Sequence, residues 1–354
     1  MSDDGIKRRE FIGGMAALSM VPAAGFAGAS PNAEHSGLDL VNLHGGAGEM
    51  SRKGDMPYRM LGKTGVQVSC IGLGGYHLGT SRMTDAEMIS LFHAGVDRGI
   101  NFSDNCWDYN GGESERRVGK ALAGGYREKV FVMTKFDGRT KTSALKQLDE
   151  SLSRLGVETI DLWQFHENIR LEDPDRFFAE GGAAEAVAEA KKAGKIRFVG
   201  FTGHKDPSVH LRMLEMADKH NFSFDAVQMP LNVMDAHFRS FGAQVLPVLV
   251  RKRIAVLGMK SMGAGAILGS NTATALECLQ YALSLPTSVV ITGIESMENL
   301  DQAFTAAKTY SALSKADIDG ILAKTSVAAA NGRFEPFKTG TNFDGTAHNP
   351  DWLG

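Results

Sequence analysis

Eight short apolar runs recur along the chain at a spacing of about 30 residues: VSCIGLGG (68–75), INFSDN (100–105), KVFVMTKF (129–136), TIDLWQFHE (159–167), KIRFVGFTG (195–203), DAVQMPLN (225–232), IAVLGMKS (254–261) and SVVITGIE (288–295). Between them lie stretches of helical length, such as TDAEMISLFHAGVDRG and TSALKQLDESLSRLG, whose apolar residues return every three or four positions. A strand that is apolar on both faces and leads into a helix belongs to a parallel sheet covered on both sides. Eight such units fit one closed α/β barrel, the (β/α)8 TIM barrel, better than an open doubly wound sheet. The open sheet predicts a linker or a composition shift near mid-chain, and the sequence has neither.

The 354 residues are 43% hydrophobic and 22% charged, with a formal net charge of -3, so a sizeable core is expected and no basic excess points to nucleic acid. Cys70, Cys106 and Cys278 are far apart and form no C-x-x-C. They are expected as buried thiols, and no metal site is expected. The N-terminus differs in kind. KRREFIGGMAALSMVPAAGFAGAS carries the pair Arg8-Arg9, then an uncharged Gly- and Ala-rich run broken by Pro22, then Ala27-Gly28-Ala29. It resembles a twin-arginine (Tat) export signal over residues 1–29, which implies the Tat machinery as partner, a periplasmic or otherwise exported location and no stable membrane insertion after processing. Residues 30–55 hold no sustained period and read as a linker, 56–325 as the barrel, and 326–354 as a tail.

Chemistry in such a barrel sits at the C-terminal ends of the strands. The second strand ends in Asp104, with Tyr109 in the loop after it; the third ends in Thr134-Lys135, the fourth in His166-Glu167, the fifth in Thr202-Gly203-His204, the sixth in Gln228. Taken singly, each is an ordinary loop or wall residue. Their order along the chain carries more.

The chain is similar to the aldo-keto reductase family from about Met56 to about Lys308. YRMLGKTGVQVSCIGLGG resembles that family's opening β-hairpin and first strand, GINFSDNCWDYNGGESERRVGKAL its signature segment, and TKF and WQFHE its lysine and histidine motifs. The resemblance implies a catalytic tetrad of Asp104, Tyr109, Lys135 and His166: an ion pair beneath Tyr109 that lowers the phenol pKa, and a histidine that orients the substrate oxygen. Gly111 and Gly112 let the loop turn, and Ser114 and Glu115 are expected to cap and charge the next helix.

NAD or NADP is the implied cofactor, with Asp104, Thr202, Gly203, Gln228, Met259, Lys260 and Ser261 at its nicotinamide end. Gly263 and Gly265 of SMGAGAILG are expected at its pyrophosphate. At the adenosine end, Gly293, Ile294 and Asn299 stand where phosphate-preferring relatives carry a Lys-Ser pair and an Arg, and Glu295 suits ribose hydroxyls, so NAD is favoured over NADP. GLGGYHLG (72–79) lacks dinucleotide spacing; Tyr76 and His77 there, with His166 and His204, are expected to line the substrate pocket. The substrate class is a small carbonyl or alcohol, with sugar-like molecules suggested by the polar residues near the mouth. The tail's Phe334, Phe337, Phe343 and Trp352 need a surface to cover them, either along the barrel or over its mouth. Two other functions fit the same residues: a redox-neutral epimerase, lyase or transhydrogenase with a captive, tightly bound nicotinamide, and a non-catalytic binding or sensor subunit.

Overall fold

A computed structural model of the chain describes residues 50–354. The expected export signal and residues 30–49 lie outside the described residues. The eight expected strands form one closed parallel barrel: β4 (Ile71–Gly74), β5 (Phe102–Asp104), β6 (Phe131–Phe136), β7 (Ile160–Phe165), β8 (Ile196–Thr202), β9 (Ala226–Pro230), β10 (Ala255–Met259) and β11 (Val289–Thr292), with β11 pairing back to β4. Ahead of it, β1 (Ser51–Lys53), β2 (Met56–Met60) and β3 (Gln67–Ser69) make a three-stranded antiparallel sheet. The expected hairpin is β2–β3. The first strand begins inside the stretch expected as linker, and the single apolar run at 68–75 divides between β3 and β4. Leu61 and Val68 of this N-terminal unit join Phe102, Phe131, Ala226, Ala255 and Val289 in one buried cluster. Each of those five opens a strand or stands as its first residue, so the small sheet stoppers the end of the barrel where the strands start.

Alternation along the strands then decides what faces the other end. From Phe131 inward-facing positions run to Met133 and Lys135; from Phe102, to Asp104; from Leu162, to Gln164 and His166; from Ala226, to Gln228; from Leu257, to Met259. The apolar residues fill the lower layers of the barrel, and the same parity, two or four residues on, places the polar ones in its top layer. Outward-facing residues of the same strands pack under the helices. Thr134 shows the consequence: its hydroxyl donates to the buried Glu115 carboxylate at 2.6 Å and fastens the helix Glu113–Leu122 to β6.

Thr84, Thr140, Thr274 and Ser314 each begin a helix with a reciprocal side-chain cap, which fixes where the chain leaves its loops. The helix Lys315–Ala329 lies beyond the eighth unit and runs across the expected start of the tail at 326. All three cysteines are buried free thiols, as expected. No helix among the described residues is long and apolar enough to cross a membrane.

Candidate active site

The site is built on a buried ion pair. Lys135, 1% exposed, donates from Nζ to Asp104 Oδ1 at 2.5 Å, to the Asn105 carbonyl at 2.6 Å and to the Tyr109 hydroxyl at 3.2 Å. Gln228 Nε2 donates to the other Asp104 oxygen at 3.1 Å, and Gln164 Nε2 donates to Gln228 Oε1 at 3.1 Å. A chain of bonds from β7 and β9 thus fixes Asp104, Asp104 fixes Lys135, and Lys135 fixes the phenol. Tyr109 reaches this place because the loop after β5 turns sharply. Asn110, Gly111 and Gly112 have φ of 53°, 64° and 84°, a left-handed path that costs a glycine little. Gly112 is the N-cap of the helix that follows, and Ser114 makes no cap bond; its hydroxyl instead accepts from Asn110 Nδ2 at 2.9 Å. The expected Ser114 cap is therefore corrected: the left-handed turn consumes the position a capping side chain would need.

The electrostatics differ from expectation as well. Burial pushes the Tyr109 phenol well above its ordinary value, and the Asp104, Cys106, Asp108 and Glu167 charges push the same way. The neighbouring ammonium does not reverse this, because its charge is already matched by Asp104 at 2.5 Å. In this structure the phenol is held as a proton donor.

His166 sits under the same roof. Its Nδ1 lies 2.9 Å from Asp137 Oδ1, 3.2 Å from Cys106 Sγ and 3.6 Å from Asp108 Oδ1. Burial alone lowers an imidazole pKa, but the Asp137 and Asp108 carboxylates outweigh it and raise that of His166. Burial also drives the Asp108 carboxyl above the ordinary carboxylate range, with the Asp137 charge adding to it. Donor atoms of Cys106, Asp108, Asp137 and His166 fall within 4.8 Å of one another. The 2.9 Å N–O separation is hydrogen-bond length, whereas two N/O ligands of one tetrahedral zinc stand about 3.3 Å apart. The cluster is read as a hydrogen-bonded network.

Two cavities meet at Tyr109. The longer, about 480 Å³, runs from Gly74, Asp104 and Gln228 past Met259, Lys260, Ser261 and Gly265 to Gly293, Glu295 and Asn299. The smaller, about 300 Å³, is bounded by Lys135, His166, Glu167, Asn342 and Phe343 among others. Tyr76, His77 and Lys260 border both. Tyr76 is half exposed and meets Tyr109 edge to face at 5.5 Å. The His77 ring lies against Gly293, where a Cβ would come within 2.4 Å of it, and burial lowers its pKa. Lys260 has φ 58° and its ammonium rests 4.4 Å from the centre of the Phe343 ring; burial, then Lys135, lowers its pKa to about 8.

Three of the residues expected at the cofactor, Thr202, Gly203 and Gly263, do not line the longer cavity. Thr202 and Gly203 border the smaller cavity beside His166; the Thr202 carbonyl accepts from Asn168 N at 3.0 Å and Nδ2 at 2.9 Å, and Gly203 passes so close to the Asn168 carbonyl that a Cβ would lie 2.3 Å from it. Gly263 packs under the tail, where a Cβ would meet Ile267 and the Phe334 carbonyl at 2.8 Å, while Gly265, φ 90°, has open space beside it. His204 is drawn off by Asp344, whose Oδ1 lies 3.0 Å from its Nε2, although its ring still borders the smaller cavity.

The tail runs over the mouth. Glu167 accepts from the backbone N–H of Gly345 at 2.8 Å and Thr346 at 2.7 Å, Asp344 bridges His204 and Lys205, and the Leu353 carbonyl accepts from Arg139 N at 2.8 Å. Phe337 is fully buried, and Trp352 meets Trp107 edge to face at 5.6 Å. Sequence reasoning missed Arg82, which bonds both oxygens of Glu295 at 2.9 and 3.0 Å across the long cavity. It also missed Asp108 and Asp137, although both lie within three residues of expected site positions.

The sequence profile of the aldo/keto reductase family matches residues 70–278, and the chain belongs to that family. Among curated relatives, 6-dehydroglucose reductase of Novosphingobium aromaticivorans is 33% identical over 41% of this chain and 51% of its own length. Aldo-keto reductase YhdN of Bacillus subtilis is 29% identical over 61% and 65%, and L-galactose dehydrogenase of Arabidopsis thaliana 33% identical over 41% and 48%. The matched stretch thus spans less than two thirds of each of these relatives. An aldo-keto reductase of Bacillus halodurans, solved in its holo form, superposes with a TM-score of 0.64 at 22% identity, over 75% of this chain and 95% of that one, a likeness of fold.

Proposed function

We propose that this protein is an NAD(P)-dependent oxidoreductase that moves a hydride between a nicotinamide and the carbonyl or alcohol carbon of a small, sugar-like substrate, with Tyr109 as its acid–base residue. The observation that carries the reading is the Tyr109 hydroxyl, 3.2 Å from a buried ammonium and bordering both cavities at once. The residues of the longer cavity fit a dinucleotide. Gln228 and Asp104 present polar edges at its inner end, Met259 offers a polarizable thioether for a ring face, and Gly265 leaves its backbone approachable. When bound there, the cofactor supplies or takes the hydride. Tyr109 gives a proton to the carbonyl oxygen on reduction and recovers it on oxidation, and Lys135 steadies the phenolate that forms. His166 is tied through Nδ1, which leaves Nε2 to hold the substrate oxygen.

Sugar-like substrates are supported by the polar lining of the smaller cavity, with His77, Asn110, Glu167 and Asn342, and by two relatives named for hexose derivatives. NAD is the favoured nucleotide: Glu295 stands in the long cavity, and the nearest cation there, Arg82, is already paired with it. Residues 1–29, read as a twin-arginine signal for the export of folded proteins, would go with a cofactor loaded beforehand and tightly held. Purified protein given NAD or NADP with a panel of aldoses, ketoses and sugar alcohols tests the reading. Change in nicotinamide absorbance that depends on Tyr109 is the expected result; no hydride transfer to or from any carbonyl or alcohol would overturn it.

A further inference from the structure

Asp108 has no part in the ion pair or in the hydride step, yet it stands on the wall of the smaller cavity beside Tyr109 and His166. Its Oδ1 is shut from solvent and turned toward His166 without meeting hydrogen-bond distance, and the only bond to its carboxyl among the described residues is the weak one from the Cys106 thiol. A carboxylate placed only to balance a histidine would take the imidazole N–H. Here that bond goes to Asp137 at 2.9 Å, while Asp108 waits at 3.6 Å. A carboxyl so buried, with so little to bond it, is costly to keep charged, a cost that persists where a group acts on a ligand. The covering tail closes over it: at Gly345 an added Cβ would stand 3.5 Å from Asp108 Oδ2 and 3.2 Å from Glu167 Oε1.

We propose that Asp108 is a second acid–base residue, which removes and returns a proton on the carbon next to the carbonyl of the bound substrate, so that the pocket enolises polyhydroxylated carbonyls as well as reducing them. The inference rests on reading the smaller cavity as a carbonyl site. In the step, a carboxylate oxygen of Asp108 takes the proton of the neighbouring C–H. The C–H electron pair becomes the C=C bond of an enolate, and the carbonyl π pair moves onto oxygen. That oxygen occupies the place where the Tyr109 hydroxyl donates, with the Lys135 ammonium behind it. Return of the proton to either face of the carbon restores the carbonyl. No electrons leave the substrate, so no oxidant or reductant is needed. The outcome is epimerisation beside the carbonyl, and joined to the hydride step it gives the redox-neutral chemistry that is one of the alternatives open to this sequence.

The test is proton exchange in deuterated water, followed by proton NMR with dihydroxyacetone and D-fructose as probes and no added nicotinamide. It therefore reads enolisation apart from hydride transfer, and failure of one leaves the other standing. Wild-type protein is expected to exchange the carbon-bound protons on the order of a hundredfold or more faster than buffer, Asp108→Asn close to the buffer rate, and Asp108→Glu, which keeps the carboxylate, within about tenfold of wild type. Exchange by wild type no faster than buffer, or Asp108→Asn exchanging as fast as wild type, overturns the proposal. So does Asp108→Glu falling with Asp108→Asn, since the position would then serve packing alone.

Discussion

The Lys135 ammonium stands 3.2 Å from the Tyr109 hydroxyl while bonded to Asp104 at 2.5 Å, so the charge that steadies the phenol is itself neutralised from below. Tyr109→Phe removes the donor and little else. Turnover is expected to fall by a factor on the order of a thousand or more, with nucleotide binding unchanged by titration. Lys135→Met does more. It leaves the Asp104 carboxylate, 4% exposed, without its cation, and the loss of stability is expected at about 3–5 kcal/mol in addition to the loss of turnover. Denaturant unfolding of the two variants side by side separates these effects. Equal stability of Lys135→Met and wild type would mean that the ion pair does not carry the site.

Lys260 gives a prediction in pH. Its folded value is near 8, below the ordinary lysine value of 10.5, with burial the main cause. Between those values the unfolded chain binds more protons than the folded one, so this residue's contribution to stability rises with pH across the window from about 8 to 10.5. Below it, the charged amine costs the fold its full penalty. Lys260→Met removes that cost: its melting temperature is expected above wild type at pH 7, and the gap should close as pH rises through the window. A gap that is constant with pH would assign the effect to packing against Phe343.

The barrel was legible because its signal is redundant. Eight strands repeat one pattern, and the loss of any single reading leaves the closed sheet as the only arrangement that buries all of them. Asp104, Lys135, His166 and Gln228 were legible for a related reason, since strand parity carries them inward once Phe102, Phe131, Leu162 and Ala226 are in the core. Arg82, Asp108 and Asp137 had no such marker. They come from irregular loops, where no period says which way a side chain turns, and Arg82 finds Glu295 across 213 residues of sequence. The Tyr109 shift was misread because a neighbouring cation was counted without the desolvation and the Asp104 charge that accompany it.

The Arg82–Glu295 pair bears on nucleotide choice. Arg82 is largely exposed, so the pair itself is worth about 0–1 kcal/mol. Its effect is to occupy the guanidinium and to present a carboxylate to whatever lies at the adenosine end. Glu295→Gln removes the negative charge and frees Arg82 for a ribose phosphate. Affinity for NADP relative to NAD is expected to rise by about tenfold, equivalent to about 1.4 kcal/mol, by fluorescence titration. Wild-type protein that already binds NADP tenfold tighter than NAD would show that Glu295 does not set the preference.

Retention of the cofactor joins the tail to the expected export signal. Outside the inner membrane no nicotinamide pool refills an emptied site, so an exported enzyme that released its nucleotide each cycle would stop. The elements expected to resist release are the bridge from Arg82 to Glu295 over the long cavity and the tail over the smaller one, held at Glu167, His204 and Lys205. Extensively dialysed wild-type protein is therefore expected to keep a nucleotide absorbance band, and a chain ending at residue 340 to lose it faster, because the bonds to Gly345, Thr346 and Asp344 are gone. A reporter fused to residues 1–35 should be exported, and changing Arg8 and Arg9 to Lys should stop it. Wild-type protein that dialyses free of nucleotide and works only when NAD is added would refute the captive cofactor. Export indifferent to the double lysine change would remove the reason for expecting one.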